Sequence, residues 1–347
     1  LAFGTAEGRG VAVQAELPTA ASAAVEDVPV VDAAAQPQLS LNCRAAILVD
    51  QDTGTVLYEK NADEQVPIAS ITKLMTLLLT FEAIHNGQLT LETTVPVSEH
   101  AYHMGGSQIW LEPGEQFTLD EMIKAICVSS ANDAAVAVAE LVGGSEPAFV
   151  ERMNARAAEL GMEDTHFSNT HGYHDDDHYT SAYDIYLMCR EAMKHETFRT
   201  IVGAKTYTLP ATNRHPEPRI IRSTNSLISN FRVAGYIYEY ATGIKTGSTP
   251  EAGYCLAASA TRENRNLISV VMGCEREPGT SGSEGYIYFD ETIRLFKWGF
   301  ANFSTQTILD NTKRDIPEVE VTLGKDAASV TLMPDGKLTA LLPNDVS

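Results

Sequence analysis

The apolar pattern of Ala45–Val49, a turn at Asp52-Thr53-Gly54 and the run Val56-Leu57-Tyr58 predict a β-hairpin near the start of the ordered chain. Just beyond it Ile71, Leu74, Leu77, Leu78 and Phe81 recur at helical spacing. A helix is therefore expected from about Ser70 to His85, ended by Asn86-Gly87. A second helix opens at Thr118, whose hydroxyl and Glu121 can form a capping box, and continues to about Val128. A third, Ala-rich helix covers about Asp133–Leu141 and stops at Gly143-Gly144. Helical periodicity returns in Glu146–Leu160 and Ser181–His195. Strand patterns then dominate from Tyr207 through Gly273, and a last helix is expected at about Tyr286–Phe300.

Strands at both ends with helices between them indicate a mixed α/β architecture. Residues 1–40 are rich in Ala, Val, Pro and acidic side chains without a sustained period, which suits a flexible leader and linker. Within them Val13-Gln14-Ala15 is similar to the end of a signal-peptidase site, although no apolar signal core precedes it. Residues 41–303 read as one catalytic-sized domain. Past Phe303 the chain changes to short alternating segments, Val319–Leu323 and Ser329–Leu332, which predict a small, incomplete β-domain over 304–347.

Length and composition narrow the function classes. A chain of 347 residues with 44% hydrophobic content can bury a large core. Its 25 Lys+Arg against 46 Asp+Glu, a formal charge of -21, argue against nucleic acid as a partner, because phosphate backbones are held by clustered Lys and Arg. The longest apolar stretch, around Leu74–Phe81, falls well short of the roughly 20 residues a spanning helix needs. Five cysteines show no Cys-x-x-Cys spacing. Simple hairpin register about the turn Glu263–Asn266 would set Cys255 opposite Cys274, as buried thiols or a cross-strand disulfide.

Three short segments can carry chemistry. Ser70-Ile71-Thr72-Lys73 puts a hydroxyl and an amine three positions apart at a helix start, on one face and roughly 5–6 Å apart. A lysine desolvated near other cations can lose its proton and accept that of serine, and the helix dipole favours negative charge on the oxygen. Taken alone, the same spacing fits a cap residue followed by a solvated lysine. Ser130-Ala131-Asn132 lies in the gap between two helices, where a hydroxyl and a carboxamide can face a cleft. Ser223-Thr224-Asn225 repeats that spacing, so the tripeptide is a weak sign by itself. Lys245-Thr246-Gly247 offers a cation, a hydroxyl and a position without a side chain at the start of a strand.

In this order, Ser-x-x-Lys, Ser-x-Asn and Lys-Thr-Gly resemble the three marks of the penicillin-recognising serine enzymes. The flanking runs Tyr58–Asp63, Gly161–Phe167, His178–Asp184 and Gly243–Gly247 are similar to the low-molecular-mass D-alanyl-D-alanine carboxypeptidases of the penicillin-binding protein 5 type, over roughly residues 41–303. The resemblance implies a β-lactamase/transpeptidase-like fold: an antiparallel sheet flanked by helices, a helical subdomain and a small C-terminal β-domain. It implies Ser70 as nucleophile, Lys73 as base and Ser130 as proton relay. Asn132, Lys245, Thr246, Gly247 and Ser248 would bind substrate, with the oxyanion between the N–H groups of Ser70 and Ser248. Implied ligands are peptidoglycan stem peptides ending in D-Ala-D-Ala and β-lactam antibiotics, with no cofactor and no metal. The implied place is extracytoplasmic, at the outer membrane face or in the wall, with peripheral attachment through a C-terminal segment not present here. Departures are Ile68 and Thr170, where the family usually has Pro, and a longer stretch at Val233–Tyr240.

Three other functions compete. A class A β-lactamase needs a deacylating glutamate, usually in Glu-x-x-Leu-Asn, and Glu163 instead begins Glu-Asp-Thr-His-Phe. The run His171–His178 invites a zinc peptidase, but it lacks His-Glu-x-x-His spacing. A non-catalytic wall-peptide binding protein would keep the fold without needing Lys73 and Ser130 together.

Overall fold

The computed structural model describes residues 39–276, 279, 285–310, 318–320, 329–331 and 337–344. Most of the expected leader therefore lies outside the described residues. The chain opens with β1 (Ala45–Asp50) and β2 (Val56–Lys60), followed by the short β3 (Val66–Pro67) and α1 (Lys73–His85). Then come β4 (Thr94–Val95), α2 (Glu99–Tyr102), β5 (Phe117–Thr118), α3 (Leu119–Lys124), α4 (Asn132–Gly143) and α5 (Glu146–Leu160). After β6 (Tyr179–Thr180) follow α6 (Ala182–Ala192), α7 (Glu196–Val202), and the ladder of β7 (Thr206–Leu209) with β8 (Arg219–Arg222). The long strands β9 (Ala241–Thr249), β10 (Gly253–Arg262) and β11 (Arg265–Cys274) precede α8 (Ile287–Asn302).

These long strands and the first hairpin make one antiparallel five-stranded sheet in the order β2-β1-β11-β10-β9. The sheet is covered on both faces, which explains why β1 is apolar at nearly every position rather than alternating. Ala45, Ile47 and Val49 point into a core shared with α1, α4 and α6, while Ala46 and Leu48 point into a second core under α8. Gly299 of α8 sits so close to Leu48 that a Cβ there would lie 2.5 Å from its methyl carbon. The helices between β2 and β9 form the helical subdomain, and the cleft runs between that subdomain and β9, an edge strand whose Gly243–Gly247 are buried.

The expected helices are found, with shifted boundaries. The Thr118/Glu121 capping box forms in full, and α3 runs on as a π-helical turn over 125–129. α4 ends at Gly144, where φ +82 suits glycine at the cap. The first helix starts one turn later than expected: Ala69–Thr72 is a 3₁₀ turn and α1 begins at Lys73. The stretch Val233–Tyr240, expected to be longer than in the family, brings Tyr236 and Tyr238 onto α8, with ring centroids 5.2 Å from Phe289 and 6.0 Å from Phe296.

The Cys255–Cys274 pairing is corrected. The turn is tighter than expected, closing at Arg262 and Arg265 around Glu263-Asn264, both with positive φ. A bulge then shifts the register so that Tyr254, not Cys255, faces Cys274, next to Gly273 at φ +64. The thiol of Cys274 instead meets that of Cys43, just before β1, and all five cysteines are free. In the C-terminal region β12 (Phe303–Asp310) pairs with β15 (Lys337–Pro343), and β13 (Glu318–Glu320) with β14 (Ser329–Thr331). β14 lies within the expected segment Ser329–Leu332, and β13 overlaps the other, Val319–Leu323, starting one residue before it. Among the described residues no helix is long and apolar enough to cross a membrane.

Candidate active site

Ser70 lies in the 3₁₀ turn that leads into α1, preceded by Ala69 at φ +52, a left-handed conformation costly for alanine. Neighbours hold this turn in place. The Thr72 hydroxyl donates to the Ala69 carbonyl at 2.7 Å, so the His178 Nε2 contact to Thr72 Oγ1, also 2.7 Å, has the ring as donor. His178 Nδ1 accepts the Ser168 N–H at 2.9 Å, which fixes the neutral tautomer. Burial, followed by nearby His171, pushes the His178 pKa down to about 3. The backbone of Gly172 packs on the other side of the turn, where a Cβ would lie 2.0 Å from the Ala69 carbonyl oxygen.

Both lysines of the expected set are fully buried, and no ion pair among the described residues includes either of them. Lys73 Nζ is 2.9 Å from Ser70 Oγ and donates to the His171 carbonyl at 2.5 Å. Lys245 Nζ donates to Ser130 Oγ and to the Thr246 carbonyl, each at 2.8 Å. Burial, then the nearby Lys245 charge, holds the Lys73 amine well below the usual lysine range. Burial also pushes Lys245 down to about 7.

Ser130 reaches Lys245 because it stands at φ +63 between the π-helical turn and α4. Asn132 follows on the first turn of α4. Its backbone N–H donates to the Ser107 carbonyl at 2.7 Å and its Nδ2 to the Gly105 carbonyl at 2.8 Å. Its Oδ1 is buried with no partner, an acceptor left open for a ligand N–H. Across the cleft, Thr246 Oγ1 is 2.7 Å from Thr224 Oγ1. Gly247 lets β9 press against the Ser70 turn, since a Cβ would sit 3.0 Å from the Ser70 nitrogen and 3.1 Å from that of Ile71. Ser248 is the next residue on the strand, and its side chain is exposed.

Six of the eight expected residues are thus joined by direct bonds or backbone contact, Ser70 with Lys73 and Gly247, and Lys245 with Ser130 and Thr246; Asn132 is held by Ser107 and Gly105, and Ser248 adjoins Gly247. The sequence reading missed several supports. Asp133, buried on α4, accepts the N–H groups of Ile109, Leu111 and Ala134 and pins the 105–111 loop beside Asn132. Its adjacency to Asn132 was the only signal. Thr224 belongs to the second Ser-x-Asn run, which spacing alone marks as ordinary loop. The histidines of the 171–178 run are spread out: His178 braces Thr72, while the His171 ring faces Glu146 at 3.8 Å. Among the described residues no group of three His, Cys, Asp or Glu side chains is placed to hold a metal ion.

A buried amine beside a helix-start serine, with a second amine bonded to a hydroxyl across a cleft, defines a serine acyl-transfer site of the penicillin-recognising kind. The signature of the D-alanyl-D-alanine carboxypeptidase family matches residues 31–276. D-alanyl-D-alanine carboxypeptidase DacF of Bacillus subtilis is 38% identical over 83% of this chain and 69% of that protein. Penicillin binding protein 5 from Haemophilus influenzae matches the structure with a TM-score of 0.72 at 30% identity, over 89% of this chain and 85% of that one. PBP3 from Streptococcus pneumoniae, a peptidoglycan synthesis regulatory factor, matches with a TM-score of 0.74 at 28% identity, over 88% and 87% of the two chains. The chain belongs to the D-alanyl-D-alanine carboxypeptidase family of low-molecular-mass penicillin-binding proteins, with their mixed α/β, transpeptidase-like fold. It is a serine-type carboxypeptidase, and so a hydrolase.

Proposed function

We propose that this enzyme removes the terminal D-alanine from peptidoglycan stem peptides outside the cytoplasmic membrane, through an acyl-enzyme on Ser70. The observation that carries the reading is the buried Lys73 amine, 2.9 Å from Ser70 Oγ and held below its normal pKa. Neutral Lys73 takes the hydroxyl proton as Ser70 attacks the carbonyl of the penultimate D-Ala. The oxyanion is received by the N–H groups of Ser70 and Ser248, on the turn and the strand that Gly247 brings together. Ser130, bonded to Lys245, passes a proton to the leaving D-Ala amine. Asn132 Oδ1 takes a substrate N–H, while Lys245 and Thr246 attract the terminal carboxylate. Water then hydrolyses the ester and regenerates Ser70.

β-Lactams mimic the substrate and acylate the same serine. Their release is expected to be slow. Glu146, a half-buried carboxylate near the site, has both oxygens already engaged, Oε1 by the N–H and hydroxyl of Thr170 and Oε2 by His100, rather than held free for activating water.

The test is D-alanine release from diacyl-Lys-D-Ala-D-Ala by the parent and by Ser70→Ala, with and without penicillin. Release that needs Ser70 and is blocked by penicillin supports the reading. Release that survives Ser70→Ala sinks it, and loss of activity on chelation would favour the zinc peptidase. Penicillin acylation without any release would point to a transpeptidase or a capture protein.

A further inference from the structure

The geometry points to Glu146, outside the Ser70–Lys73–Ser130–Lys245 set, as a positioning residue that orients the amine of Lys73 through the backbone at 169–172. The inference rests on Lys73 being the base, as proposed above. A neutral amine has two N–H bonds and one lone pair. For the lone pair to face the Ser70 hydroxyl, the N–H bonds must be directed elsewhere. The His171 carbonyl, 2.5 Å from Nζ, accepts one of them and so sets the rotation of the amine. Whatever holds that carbonyl therefore holds the base.

The carbonyl sits in a loop, and the loop is gripped on several sides. Thr76 Oγ1 of α1 donates to the Thr170 carbonyl at 2.7 Å. Asn169 Oδ1 accepts the N–H groups of His171 at 3.2 Å and Gly172 at 2.6 Å. The loop's carboxylate anchor, among the described residues, is Glu146 on the first turn of α5. Its Oε1 accepts both the N–H of Thr170, at 3.1 Å, and its hydroxyl, at 2.7 Å. Its Oε2 is 2.6 Å from His100 Nε2. Burial opposes the charge on Glu146, but the bonds from His100 and Thr170 outweigh it and keep the carboxylate below its usual pKa. The start of α5 also suits a negative charge.

Thr170 shows that the grip is specific. A proline, the residue the family resemblance leads one to expect there, has neither an N–H nor a hydroxyl and could make neither bond to Glu146. Thr170 and Glu146 form a matched pair that replaces the stiffness of proline with two charge-assisted bonds. Thr170 is completely buried and the Glu146 side chain is only 12% exposed, so water competes little for these bonds.

The experiment compares Glu146→Ala, Glu146→Gln, Thr170→Val and Thr170→Pro in the full chain. Acylation by a labelled penicillin is followed by intact mass, peptide turnover gives kcat and KM, and calorimetry reports folding. Glu146→Ala is expected to slow acylation about tenfold or more, lowering kcat with little change in KM. Glu146→Gln, which keeps an acceptor for Thr170, should recover most of the rate. Thr170→Val, which keeps the N–H bond, should lose less than Glu146→Ala. Combining Glu146→Ala with Thr170→Pro should cost no more than the worse single change.

Parental acylation rates per folded molecule in Glu146→Ala would overturn the proposal, as would strictly additive losses. A Glu146→Ala enzyme that acylates normally but releases penicillin more slowly would make Glu146 a deacylation base instead. Ser70→Ala is run alongside. Acylation that persists in it strikes the Ser70 reading itself, an outcome separable from any behaviour of the Glu146 variants.

Discussion

Replacing Gly247 by alanine tests how tightly the strand and the Ser70 turn are fitted. The added Cβ would stand 3.0 Å from the Ser70 nitrogen, 3.1 Å from the Ile71 nitrogen and 3.2 Å from the Ala69 Cβ. Comfortable separations for such atoms are about 3.5–4.0 Å, so strand and turn must part by roughly 0.5 Å. Strand β9 cannot easily yield, because it is paired with β10 from Ala241↔Ala260 to Gly253↔Thr249. The Ser70 turn, already carrying Ala69 at positive φ, has to move. Overpacking of this kind costs about 1–3 kcal/mol. Misplacing a reacting group by about 1 Å can cost on the order of 100-fold in rate, so half that shift predicts a loss of roughly tenfold or more.

The assay follows acylation by labelled penicillin with the protein's intact mass, beside calorimetry on the same samples. Gly247→Ala should unfold only a few degrees lower, about 2–4 °C per kcal/mol for a domain of this order of size, while acylation falls far more than the folded fraction. Parental acylation in a folded Gly247→Ala enzyme would show that the strand and the turn are free to adjust, and the close-fit reasoning would be wrong.

Other predictions concern protons and thiols. With Lys73 as the proposed base, acylation should weaken as pH falls, because the amine can accept the serine proton only when neutral; a rate that climbs on acidification refutes this. Burial leaves His178 and His171 with folded pKa values of about 3 and about 4, against 6.5 unfolded, so the unfolded chain binds more protons between those limits. Stability should therefore drop as pH falls from about 6.5 towards 3, and His178→Gln should flatten that drop in a melting-temperature profile; an unchanged slope counts against it. Iodoacetamide on the native protein should modify Cys43 before the four buried cysteines, since Cys43 is partly exposed and its thiol pKa is lowered by the hydrogen bond with Cys274. Peptide mapping that finds another cysteine labelled first would contradict this.

The parts of the fold legible in the sequence are those with local causes. The Thr118/Glu121 box, the glycine stop of α4 and the helix Glu146–Leu160 depend on residues a few positions apart, and each appears where the pattern puts it. The β10–β11 register was misread because it depends on two local features that simple counting passes over. One is a two-residue turn of Glu263-Asn264 with both φ values positive, and the other is the glycine bulge at Gly273. A slip of this kind moves a cysteine from one neighbour to another, and so Cys274 meets Cys43 from the far end of the domain.

The candidate site divides in the same way. Ser70 with Lys73, Ser130 with Asn132, and Lys245 through Ser248 are contiguous runs, visible because the chemistry needs adjacent residues. The groups that make those runs effective are far away in sequence: Lys73 bonds to the carbonyl of His171, Thr72 to the ring of His178, and Thr246 to the hydroxyl of Thr224. Each contributes a carbonyl, a fixed tautomer or a hydroxyl, and residue identity alone marks none of these as functional. Thr170 is the informative exception. Where the family resemblance expects proline, this chain has a residue with two donors, and Glu146, 24 positions earlier, accepts both. A departure from a family pattern at a buried backbone position implies a partner elsewhere in the chain that makes the new residue worth keeping. Here that partner points back, through one carbonyl, to the amine beside the Ser70 hydroxyl.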